Sequence, residues 1–228
     1  MSKPIADVTE NASNLKLTMD AHKDEMVAKG FKEVRLQNFA DLMDSVTRKI
    51  SLQKAAQDTM MANTESQNIA IQQARTVIRK IQNAGKAKFG LNKTKQKEFK
   101  IGANTSNGVG KTAELLDYLA AVCTKYHDDL IESGLTEEDF AAITPTYANL
   151  VTADSIQEHS KKLRNVATDA RDAAVTALEE EMFKIRSFVK AAFANNKALL
   201  EEFKPIKKGG RKSSPETPAP TPSPAPQP

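Results

Sequence analysis

The chain has 228 residues, of which 39% are hydrophobic, 27% charged and 5% aromatic, with no tryptophan and a net charge of +4. So few large side chains exclude a deep globular core and favour layers of paired helices, each burying one stripe. Cys123 is the only cysteine, which excludes an internal disulfide and a cysteine-based zinc site.

Ile5, Val8, Ala12, Leu15, Met19, His22 and Met26 alternate in steps of three and four. This spacing predicts a first helix over about 5–28, stopped by Gly30. The start of the chain carries no apolar h-region, so no secretory signal is expected. A second, long helix is predicted over about 32–83, its stripe running through Phe39, Met43, Val46, Ile50, Met60, Ile71, Ala74, Ile78 and Ile81. Its middle seam is polar if it uses Gln53, Gln57, Thr64 and Gln67; a rotated helix uses Ala56, Met60 and Ile69 instead.

Residues 84–111 break the pattern. Gly85, Gly90, Gly102, Gly108 and Gly110 punctuate the stretch, and Phe89, Leu91, Phe99 and Ile101 suggest a short hairpin or flap pinned to the bundle. Helix resumes over about 112–132 with Leu115, Leu119, Val122, Tyr126 and Leu130 inward and Gly134 as its stop. Leu135-Thr136-Glu137-Glu138-Asp139-Phe140 reads as a capping box with a hydrophobic staple. A last long helix is predicted over about 145–203, its seam at Val175, Leu178, Met182, Ile185, Val189, Ala192, Leu199 and Phe203. The two long helices pair antiparallel. The fold class is therefore all-α, an elongated helical bundle or coiled-coil-like hairpin over 1–204, followed by a basic, proline-rich tail over 205–228 expected to be disordered.

Charge is unevenly placed. Lys86, Lys88, Lys93, Lys95, Lys97, Lys100 and Lys111 face only Glu98 within 86–111, and Lys207, Lys208, Arg211 and Lys212 follow in the tail. Both segments are candidate anion- or partner-binding sites, for nucleic acid or an anionic surface. The bland alternative is a solubilising loop on an otherwise acidic body. Arginine is scarce between 86 and 111, which disfavours base-specific reading.

Thr105 to Thr112 ends in Gly-Lys-Thr but lacks the first glycine and the preceding strand of a phosphate loop, and reads instead as a turn before a helix. His22, His127 and His159 lack the Glu-x-x-His pattern of a di-iron bundle. The carboxylate runs at Asp128-Asp129, Glu137-Glu138-Asp139 and Glu179-Glu180-Glu181 point in different directions and read as solvated faces. No catalytic residue, metal site or cofactor is assigned.

Phe183, Phe188 and Phe193 are five apart and so spread around the helix. With Met182, Ile185 and Val189 they make this end apolar nearly all round, so either several helices of the same chain surround it or a second copy does, which makes it a candidate self-association surface. No apolar run reaches the roughly 18 residues of a spanning helix. The expectation is a non-enzymatic, cytoplasmic scaffold or interaction protein that forms homo-oligomers.

Overall fold

The computed structural model describes residues 4–102 and 108–206. It is an all-α helical bundle, with no strand among the described residues. The helices are α1 (Ile5–Ala21), α2 (Lys23–Ala28), α3 (Val34–Phe89), α4 (Lys93–Glu98), α5 (Gly108–Lys125), α6 (His127–Glu132), α7 (Glu137–Ala141), α8 (Ile143–Ala192) and α9 (Lys197–Glu202). No helix among the described residues is long and apolar enough to cross a membrane.

The chain divides into two compact units where the sequence suggests one bundle over 1–204. Among the described residues, the first comprises 4–43 and 177–206, and the second 44–102 and 108–176. In the first unit, Val8, Ala12, Leu15 and Met19 of α1 are buried, as are Met26, Phe31, Phe39, Leu178, Met182, Ile185, Val189, Leu199 and Phe203. Gly30 ends α2 at φ +92°. Its amide bonds to the Val27 carbonyl at 2.9 Å, and the Phe31 amide bonds to Met26 at 3.0 Å. These are the two bonds of a Schellman stop, which needs a left-handed residue at the turn. Phe31 then packs on Phe188 with ring centroids 5.0 Å apart. The Arg35 guanidinium lies over Phe31 at 5.1 Å and donates from Nε to Glu181 at 3.0 Å, joining α3 to α8.

In the second unit one cluster gathers Ala70, Ala74, Ile78, Ile81 and Ala84 of α3 with Leu116, Leu119, Val122 and Cys123 of α5, Leu130 of α6, and Ile143 and Leu150 of α8. The buried position on α5 is Leu116, next to the expected Leu115, which is only partly buried. Gly134 repeats the Schellman geometry, with Leu135 bonding to Leu130 and Gly134 to Ile131, each at 3.0 Å. Thr136 and Asp139 form the expected capping box.

Three expected helices are interrupted. The first breaks at His22, the third at Tyr126 and the last at 193–196. Conversely α3 runs six residues past the expected end, to Phe89, and the expected hairpin is replaced by helix α4. The reason is local. Gly85 keeps helical backbone because it receives the Phe99 ring, and a Cβ there would meet the ring at 2.6 Å. Close packing, not chain reversal, explains that glycine.

Candidate functional site

The basic segment is ordered around an aromatic cluster. Asn92 caps α4, accepting from the amides of Thr94 and Lys95 at 3.1 Å each. Phe99, fully buried, stacks on Phe89 at 5.7 Å and lies 5.6 Å from Tyr126. Phe89 meets the edge of Tyr126 at 5.4 Å. These rings are turned inward, so they form no platform on which a base could stack.

Several of the candidate lysines are already engaged. Lys88 pairs with Asp129 at 3.1 Å and with Glu132. Those two carboxylates, Glu132 first, raise its pKa. Lys95 bonds to the Tyr126 hydroxyl and lies over its ring at 4.2 Å. The same hydroxyl donates to Glu98 at 2.7 Å, and Lys125 reaches Glu98 at 3.2 Å. The Tyr126 hydrogen bond and then Lys125 hold the Glu98 carboxyl below its usual range. Lys100 lies over Tyr118 at 5.0 Å. Lys86, Lys93, Lys97 and Lys111 are exposed. Leu91 stands fully exposed at the α3–α4 turn. Lys207, Lys208, Arg211 and Lys212 lie outside the described residues, as does the rest of the expected tail from 207 onward and the Thr105–Asn107 half of the Gly-Lys-Thr motif. The helix begins at Gly108, so Thr112 sits inside α5 and donates to the Gly108 carbonyl at 2.8 Å.

The candidate self-association residues face the interior of the first unit. Met182, Ile185, Val189 and Phe193 are buried and Phe188 is covered by Phe31. Only Phe183 is exposed, at 72%. Five of the six side chains are therefore committed within the chain itself, because α1, α2, α9 and the start of α3 supply the neighbours that an all-round apolar helix requires.

A surface that the sequence reading did not single out lies on the long helices within the second unit. Between 47 and 69 α3 has no buried side chain, and between 151 and 174 α8 has only Gln157 and Ser160. The seam joining them is polar. Gln67 Nε2 donates to Asp154 at 2.7 Å, and Gln157 Nε2 donates to Thr64 Oγ1 at 3.4 Å. Large apolar side chains remain outside: Leu52, Met61 and Ile69 on α3, and Val151, Ile156, Leu163 and Val166 on α8, each between 44% and 64% exposed. An open groove of about 750 Å³ is lined by Ile69, Gln73 and Thr76 of α3 with Pro145 and Asn149 of α8, among others. The signal was present in the sequence as a second three-four spacing beside the seam, free of formal charge, which a search for the most apolar stripe passes over.

Among the described residues no three His, Cys, Asp or Glu side chains gather as metal ligands. His22 sits between Glu202 at 2.8 Å and Glu25 at 3.4 Å. His127 touches Asp128 and Glu137. The carboxylate runs serve as partners: Asp139 for Lys80 at 2.6 Å, Glu181 for Arg35. No family model matches this chain, and neither the curated proteins nor the solved structures contain a match.

Proposed function

We propose that this chain is a non-enzymatic interaction protein, a helical scaffold whose working surface is the outside of α3 and α8 within the second unit. The observation that carries the reading is the row of half-exposed Ile156, Leu163 and Val166 on a helix whose inward seam is polar. A helix that buries little and exposes large aliphatic side chains at regular intervals is organised to receive another helix. The single thiol, Cys123, is buried and unpaired, which suits a reducing compartment such as the cytoplasm.

Position-specific crosslinking in the source cell tests this. A photoreactive residue at Ile156 or Leu163 should form an adduct of defined mass with one protein species, and the same probe at Lys161, on another face of α8, should not. Equal or absent adducts at all three positions would remove the reading.

The exposed Lys86, Lys93, Lys97 and Lys111 favour a second reading, an anionic surface or nucleic acid bound through the basic segment. Counterion release then predicts that replacing all four by glutamine lowers the slope of log K against log salt by about 3–4. An unchanged slope would leave these lysines as solubilising groups.

A further inference from the structure

Along α8, Asn149, Thr152, Ile156, His159, Leu163 and Val166 follow a strict three-four alternation that continues to Ala170 and Ala173. No Asp, Glu, Lys or Arg interrupts it. All but Ala170 are exposed, and Ile156, Leu163 and Val166 are 49%, 49% and 64% exposed. The inward seam of the same helix runs through Leu150, Gln157 and Ser160. A helix with two such rows is a helix of a larger bundle.

Charge says what covers the second row. Lys162 and Asp169 are two turns apart and flank the row on one side. Their neighbours are satisfied within α8, Lys161 with Glu158 at 2.6 Å and Arg171 with Asp172 at 2.7 Å. Lys162 and Asp169 make no ion pair among the described residues. When the row packs antiparallel on a copy of itself, with Leu163 against Val166 of the partner subunit, Lys162 faces the partner's Asp169. The two-fold axis repeats the pair. Twenty-five residues of helix span about 37 Å, so a strip about 10 Å wide along α8 gives roughly 370 Å² per copy, to which the exposed Met61 and Ile69 of α3 add on the way to a standard interface.

We propose that the partner of this surface is a second copy of the chain, joined antiparallel through the outer row of α8 with reciprocal Lys162–Asp169 pairs. The proposal deepens the interaction reading above and rests on it. It also moves the self-association surface from the buried 182–193 positions to 149–173.

Sedimentation equilibrium on the full chain tests it. The chain should weigh twice its monomer mass at tens of µM, and Leu163→Asp should weaken dimerisation at least tenfold, since a charge at the centre of a helix seam is desolvated. Because Leu163 is half-exposed in the single chain, far-ultraviolet circular dichroism of this variant should match the wild type. Lys162→Asp and Asp169→Lys should each weaken the dimer several-fold, and the double swap Lys162→Asp/Asp169→Lys should restore it, an outcome that misfolding cannot mimic. A chain that stays monomeric to about 100 µM, well above the Kd of a standard interface, overturns the proposal. So does a dimer indifferent to Leu163→Asp and to the swaps. A monomer that still crosslinks through Ile156 to a different protein in cells would overturn self-association while leaving the interaction reading in place.

Discussion

Lys100 ends α4 with φ +51°, a left-handed backbone that side-chain-bearing residues avoid. The bonds around it repeat those at Gly30 and Gly134: Lys100 to Lys97 and Ile101 to Gln96, each at 3.1 Å. Lysine thus occupies the position where a helix stop prefers glycine. Lys100→Gly should raise stability by about 0.5–1 kcal/mol, less what its contact with Tyr118 contributes; chemical denaturation would measure it, and a loss of stability would mean that contact dominates. His22 is the other residue with a sharp expectation. Its hydrogen bond to Glu202 raises its pKa most, burial opposes that rise, and the hydrogen bond to Glu25 adds a smaller one. A raised pKa means that the stabilisation is fully present below about pH 6.5 and is lost as pH rises through the folded-state value. With Glu202 more than half exposed, the effect should stay under about 1 kcal/mol. Thermal melting at pH 5 and pH 8 should show wild type and His22→Gln differing more at pH 5. The reverse order would show that the contact with Glu202 does not form.

At the scale of elements, the seam between α3 and α8 is set by polar groups. Gln157 is 4% exposed, and its Oε1 meets no donor among the described residues. A buried amide oxygen without a donor costs about 1–3 kcal/mol, yet a single polar seam residue fixes the register of paired helices. Gln157→Leu should therefore stabilise the chain by about 1 kcal/mol in a denaturation experiment while loosening its pairing register. Destabilisation would show that the bond to Thr64 outweighs the orphaned oxygen. These elements also show how far the sequence could be read. The stripes through Phe39, Ala74, Ile78, Leu178, Ile185 and Val189 were visible because helical periodicity is strong when the apolar residues are large. Gly30, Gly134 and the Thr136 box were visible because caps obey local chemistry. The continuation of α3 through Gly85 was not, because the reason for that glycine is Phe99, fourteen residues away and just past the end of α4. The outer row of α8 was passed over for a similar reason. Its asparagine, threonine, histidine and alanines look like ordinary surface until burial shows which row the seam has already used.

For the molecule as a whole, the charge map changes meaning once side chains are placed. Seven lysines between 86 and 111 suggest a cationic loop, but Asp129, Glu132 and Glu98 take up Lys88 and Lys95. Two of the seven are thus neutralised within the chain, and the exposed Lys86, Lys93, Lys97 and Lys111 carry what remains of the field. Cys123 offers a direct view of how the second unit behaves. It is 1% exposed within the central cluster, and burial pushes its thiol up to about 12. The thiolate is the reactive form, so a thiol-specific reagent at neutral pH should modify the folded chain only during excursions that bare the α5 face. The modification rate, followed against reagent concentration, should plateau at the opening rate or track the opening equilibrium. Immediate labelling would mean that the face is open. The chain therefore carries its own stopwatch, one sulfur atom that times the breathing of the bundle around it without any engineered probe.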